Sequence, residues 1–190
     1  MTHDASEGSN VGVIVKELQR KGGYQLTFLK KDEREKVTKQ GKVLHLLNFF
    51  FVKPYHMATC SYILQDNVFL PMAYMRFPKS VRVVQLWHGT GTIKKFGQSV
   101  NEGALGELEK AADATITHLI INGPAMREIY GEAFGVSDDN IYELGLPRTD
   151  VLFDPDKRNQ LQEEFYERYP ALRQKYLILY APTFRDHEIL

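Results

Sequence analysis

Apolar and polar positions along this chain switch repeatedly between helical and strand-like spacing. Val11 to Arg20 has helical periodicity, with Asn10 as its candidate N-cap and Gly22–Gly23 as its stop. Tyr24 to Leu29 reads as a strand, and Lys30 to Lys39 as a charged, solvated segment. Leu46 to Thr59 predicts a helix broken or entered at Pro54, followed by a short strand from Ser61 to Leu64. Val81 to Leu86 is a strand of the kind buried in parallel sheets. A helix over Gly103 to Ala112 and a strand over Ala114 to Ile121 come next. Pro124 to Phe134 is a helix with proline near its start, where the missing N–H costs nothing. Ile141 to Leu144 is a strand ended by Gly145, Asp156 to Tyr169 an amphipathic helix, and Tyr176 to Ala181 a last apolar strand before Pro182.

Strand–helix–strand alternation with short connections predicts an α/β fold with a parallel sheet. Ligands of such sheets bind at the carboxyl ends of the strands, so the residues just after each strand are the candidates for chemistry. The pattern places one domain over residues 1–170, a linker over 171–175, and the start of a second domain over 176–190.

Composition narrows the functional classes. Lys+Arg and Asp+Glu both number 24, so no global field points to nucleic acid. Cys60 is the single cysteine, which excludes an internal disulfide and reads as a buried thiol in a reducing cytosol. The Cys and His residues have no zinc spacing, and no metal or cofactor is expected. The first ten residues are polar, which predicts no secretion signal. The apolar run Leu44 to Val52 is about half the roughly 20 residues that a spanning helix needs.

Local charge is less even. Asn67 to Asn101 holds no Asp or Glu, while Arg76, Lys79, Arg82, Lys94 and Lys95 are basic. In the middle lies WHGTG, Trp87 to Gly91, directly after the Val81–Leu86 strand. His88 would stand at a strand's carboxyl end, with Gly89 permitting close backbone approach and Thr90 offering a hydroxyl. Such a turn, with Lys94 following, suits phosphate oxygens. The same residues also fit a packed histidine beside ordinary surface charges, and spacing alone does not choose between the two. GLPRTD, Gly145 to Asp150, likewise follows a strand and brings Arg148, either to a ligand or to a structural turn. APTFRD, Ala181 to Asp186, brings Arg185 to the end of the last strand.

Taken together, WHGTGTIKKFG, GLPRTDVLF and ILYAPTFRD resemble, in order, the Trp-His-Gly-Thr-Pro-Leu-Lys, Gly-x-Pro-Arg-x-Asp-x-Leu and Tyr-Ala-Pro-Thr-Trp-Arg-Asp motifs of the CDP-glycerol:poly(glycerophosphate) glycerophosphotransferases. Gly91 and Thr92 depart from the first motif. The resemblance implies the acceptor-side, Rossmann-like domain of a GT-B-like fold, with only the first strand of the donor-binding domain present. It implies transfer of glycerol phosphate from CDP-glycerol to a hydroxyl of a polyprenyl-linked teichoic acid acceptor, with release of CMP. His88 is implied as the general base, and Gly89, Thr90, Lys94, Arg148 and Arg185 as substrate contacts. The apolar strand expected before the first helix, and most of the donor-binding domain, are not in this sequence. The chain is therefore expected to be a fragment, inactive alone and peripheral to the cytoplasmic face of the membrane.

Two rivals stand beside this reading. A GT-B glycosyltransferase using a nucleotide sugar would share the architecture. A non-catalytic module docking on a membrane or acceptor would instead use Phe49–Phe50–Phe51 beside Lys53 and Tyr55 as an interfacial helix, if that face is not simply core.

Overall fold

Among the described residues, four short strands pair in parallel in sequence order: β1 (Tyr62–Gln65), β2 (Arg82–Gln85), β3 (His118–Ile121) and β4 (Ile141–Glu143). The computed structural model describes residues 8–29, 46–89, 91 and 94–181. The chain forms two compact units, Met1–Thr149 and Asp150–Leu190.

Hydrophobic burial sets the register of the sheet. Ile63 lies opposite Val83, and both join Met57, Met72, Val81 and Ala112 in one core cluster. Leu119 and Ile121 of β3 join Ile116, Ile141, Tyr130 and Phe134 in a second. Val83, Leu119 and Ile121 are fully buried. Burying a side chain of that size is worth about 1.5–3 kcal/mol, and a one-residue slip would turn it to the other face. At the carboxyl ends of the first two strands the pattern changes. Gln65 and Gln85, register partners, are both buried, so polar chemistry begins where the apolar core stops.

Helices described in the first unit include α1 (Asn10–Lys21), α2 (Lys53–Thr59), α3 (Gly103–Asp113) and α4 (Arg127–Phe134). A π-helical turn, Asn48–Val52, leads into α2, with Pro54 in the first turn as expected. Helix α3 packs on the 3-10 turn Leu70–Tyr74. Cys60 is half-buried against the first core cluster, and burial pushes its thiol pKa up, which fits an unreactive thiol.

Three expectations change in the first unit. The N-cap of α1 is Ser9, whose hydroxyl accepts from the Gly12 N–H at 3.0 Å, so Asn10 is the first helical residue. Tyr24 to Leu29 is not a strand: residues 22–29 have no regular structure, and Tyr24 and Phe28 are exposed. Ala114 to Thr117 turn out of α3 before β3 begins, with Ile116 N–H bonded to Asp113 O at 2.8 Å.

In the second unit, Asp154 caps α5 (Pro155–Arg168) by accepting from the Lys157 N–H at 3.0 Å. No residue of α5 is buried. Arg173 grips Glu163 through two bonds of 2.6 and 3.1 Å. The expected strand Tyr176–Ala181 does not form: these residues have no regular structure, and Tyr176, Ile178, Leu179 and Tyr180 are exposed. A parallel strand exists only through its neighbours, and among the described residues none pairs with this segment. The expected linker at 171–175 lies inside this second unit.

Candidate active site

The carboxyl end of β2 turns sharply at Trp87, the one non-glycine residue with positive φ among those described, at 52°. A bulky residue in that region costs roughly 1–3 kcal/mol, so the surroundings must hold it. They do so from several sides. The Trp87 N–H donates to Gln85 Oε1 at 3.0 Å, and the Trp87 carbonyl accepts from Asn10 Nδ2 at 2.6 Å. The indole stacks on Phe96 at 5.1 Å and meets Phe134 edge-on at 5.2 Å.

The next two carbonyls are held as well. His88 O accepts from Arg148 Nη2 at 2.6 Å, and Gly89 O accepts from the Tyr130 hydroxyl at 2.6 Å. Three consecutive carbonyls are thus bonded to side chains from α1, from the turn after β4, and from α4. Gly89 is required for a steric reason too. A Cβ there would lie 2.9 Å from Trp87 Nε1, under the indole.

The half-buried His88 ring is itself oriented. Its Nδ1 lies 2.8 Å from the carbonyl oxygen of Asp66, just after β1, and its ring packs on Trp87 with centroids 4.1 Å apart. A carbonyl oxygen can only accept, so Nδ1 carries the proton. In the neutral ring the lone pair is then on Nε2. That is the tautomer a general base needs, fixed by a neighbouring strand end.

Among the predicted contacts, His88, Gly89 and Arg148 come together at the ends of β2 and β4. Lys94 is exposed, with no hydrogen bond or ion pair to them among the described residues. Thr90 and Arg185 lie outside the described residues. The basic cluster read around His88 is divided. Arg82 begins β2 and donates to Lys79 O at 2.6 Å, whereas His88 follows the strand's other end. An extended strand of four residues carries its ends about 10 Å apart, so closeness in sequence is not closeness in space. Sequence reasoning missed Asp66, Tyr130 and the site role of Asn10. Only Asn10 carried a signal, as a second capping residue directly after a serine.

A parallel α/β sheet that presents a tautomer-fixed histidine on a braced turn after a central strand has the architecture of a Rossmann-like domain. The chain belongs to the CDP-Glycerol:Poly(glycerophosphate) glycerophosphotransferase family, whose model matches residues 2–190. It is 31% identical over 178 residues to the teichoic acid ribitol-phosphate primase of Bacillus spizizenii, covering 90% of this chain and 45% of that protein. It is 30% identical over 181 residues to the teichoic acid poly(glycerol phosphate) polymerase of the same organism, covering 91% of this chain and 45% of the polymerase. The solved structure of the wall teichoic acid polymerase TagF shares its fold, with a TM-score of 0.57 at 24% identity over 68% of this chain and 33% of that one. The chain therefore spans somewhat under half the length of the two curated relatives and matches a third of the solved one.

Proposed function

We propose that the site takes part in transfer of glycerol phosphate from CDP-glycerol to a hydroxyl of a lipid-linked teichoic acid acceptor, releasing CMP, with His88 as the base. The observation that carries this reading is the Nδ1–Asp66 carbonyl bond, which leaves Nε2 as the basic nitrogen. Nε2 takes the proton of the acceptor hydroxyl as its oxygen attacks the phosphorus of the glycerol phosphate. The bond from that phosphorus to the CMP oxygen breaks, and CMP departs with the electron pair. The imidazolium formed keeps its Nδ1–H on Asp66 O, a stronger bond once the ring is charged. Arg148 spends one N–H on His88 O, and the rest of its guanidinium can meet a phosphate oxygen. Gly89, Thr90, Lys94 and Arg185 complete the proposed substrate contacts. In this reading residues 1–170 are the acceptor-side domain, 171–175 the linker and 176–190 the start of the donor-binding side.

The test is acceptor-dependent CMP release in the full protein carrying these residues. CDP-glycerol, the same nucleotide bearing ribitol phosphate, and nucleotide sugars are compared. Turnover with CDP-glycerol is expected. Turnover with nucleotide sugars alone would make the protein a glycosyltransferase instead. Ribitol phosphate is included because the primase relative is named for it.

Attachment to the cytoplasmic membrane face belongs to the same proposal. Among the described residues no helix is long and apolar enough to cross a membrane. Phe50 and Phe51 are 61% and 69% exposed and Tyr55 65%, while Phe49 is half-buried and Lys53 buried, so the exposed aromatic edge alone, without Lys53, suits burial at a lipid interface. Flotation with anionic and neutral liposomes tests it, and equal, negligible binding to both would remove this part of the proposal.

A further inference from the structure

Resting on that reading of His88, we propose that Asn10 is a positioning residue for the base, its buried carboxamide tying together the turns that follow β2 and β4. In the sheet these strands are not neighbours, because β3 lies between them. Two strand spacings separate them by about 9.6 Å, too far for their backbones to bond directly. Asn10 closes part of that gap. Its Nδ2 donates to Trp87 O at 2.6 Å, and its Oδ1 accepts the Arg148 N–H at 3.2 Å. The partners lie 77 and 138 residues away in sequence.

The helix does not need this side chain. Ser9 already caps α1, and asparagine is a poor helix former. Yet Asn10 is only 1% exposed. The chemistry of its partners explains the choice of residue. One is a carbonyl and the other an N–H, so a single side chain must donate and accept at once. A carboxylate cannot donate, an aliphatic side chain can do neither, and glutamine is one methylene too long for a closed slot. The two bonds also bear on His88 from both sides. The Trp87 carbonyl belongs to the peptide before His88. The backbone of Arg148 carries the guanidinium that holds the His88 carbonyl, in the peptide after it. Asn10 thus fixes one flanking peptide directly and the other through Arg148.

The experiment uses the full protein carrying these residues, with any tryptophan outside them replaced by phenylalanine, so that Trp87, the only tryptophan of these 190 residues, reports on the turn. In the unmodified protein, exchange of the Asn10 Nδ2 protons should be slowed; exchange at the rate of an exposed amide overturns the proposal however the variants fold. Asn10→Asp and Asn10→Ala should lower kcat by about 100-fold, as for a small misplacement of a catalytic group, with the donor KM within about 3-fold. Both should shift the Trp87 emission at neutral pH. In acid, the carboxyl of Asn10→Asp gains a proton it can donate to Trp87 O, so its emission should return to that of the parent at the same pH. Asn10→Ala should not recover. Ser9→Ala, which removes the helix cap alone, should leave emission and turnover near those of the parent. The proposal fails if folded Asn10 variants keep kcat and emission within about 2-fold of the parent, or if Ser9→Ala causes the same losses. A parent that releases no CMP would refute the reading of the reaction, while emission and exchange would still decide the bridge.

Discussion

The Tyr130 hydroxyl donates to the Gly89 carbonyl at 2.6 Å, joining residues 41 apart in the chain. Tyr130 is fully buried, in edge-on contact with Phe96, and burial raises its phenol pKa, so it stays a neutral donor. The aromatic core beneath the turn therefore ends in one polar bond to the turn itself. Tyr130→Phe keeps the ring and removes that bond. Leaving this half-buried acceptor without its donor should cost about 1 kcal/mol, read as a lower denaturation midpoint. Unchanged stability would mean that water replaces the hydroxyl.

Gly97 anchors the other side of this loop. Its φ is 61°, and a Cβ would run into the carbonyl oxygen of Ala133 in α4. Gly97→Ala should cost more than about 2 kcal/mol, lowering Tm by about 4–8 °C for a chain of this size. Gly22 has a similar φ of 70° but nothing within 4 Å of the added atom. Its ψ of 177° places Gly22 in extended backbone with positive φ, a conformation that essentially only glycine adopts, so Gly22→Ala should cost backbone strain alone, about 1–3 kcal/mol. Thermal melts measure both losses, and a Gly97→Ala loss under about 1 kcal/mol would show that the Ala133 carbonyl simply moves aside.

Asp113 predicts a pH dependence of stability. Burial holds its carboxyl up at about 7, the bond from Gln98 Nε2 works against that shift, and the charge of Glu109 one turn earlier adds to it. Its Oδ1 is buried with no partner. In the unfolded chain the group ionises near 3.9. Between those values the folded protein holds a proton that the unfolded chain has lost, so this group makes stability fall as pH rises from about 4 to about 7. Asp113→Asn removes the effect. Its Tm relative to the parent should be clearly higher at pH 8 than at pH 5.5, and a constant difference between the two would contradict the assignment.

What the sequence revealed follows from the range of each interaction. Strands β2 and β4 and helix α3 rest on local periodicity, and both motif turns follow strands as expected. Tyr24–Leu29 and Tyr176–Ala181 have equally apolar patterns but form no strand, because a ladder requires a neighbour that local pattern does not supply. The role of Asn10 was hidden by its own sequence neighbourhood, where a polar residue at a helix start reads as a cap. Tyr130 looked like any aromatic on an apolar helix face. The charges near His88 misled in the opposite way, since Arg82 stands at the amino end of β2 and His88 follows its carboxyl end.

The last prediction concerns His88. The bond from Nδ1 to Asp66 O holds the ring and sets its tautomer, so the two jobs of this residue, packing and proton transfer, can be separated by substitution. His88→Gln keeps a planar polar group whose amide can still donate to the Asp66 carbonyl, but it offers no nitrogen able to take a proton at neutral pH. Losing a general base typically costs 10²–10⁴-fold in rate, so turnover of the full protein should fall by about that factor with donor binding little changed. His88→Ala should fall at least as far and also lose the contact with Trp87, whose emission reports the change. If His88 only packs, the order reverses: alanine costs about 1–3 kcal/mol of stability, while glutamine spares most of the activity. A folded His88→Gln protein with more than about a third of the parent turnover lies outside the loss expected for a base. It would move the proton acceptor to another residue.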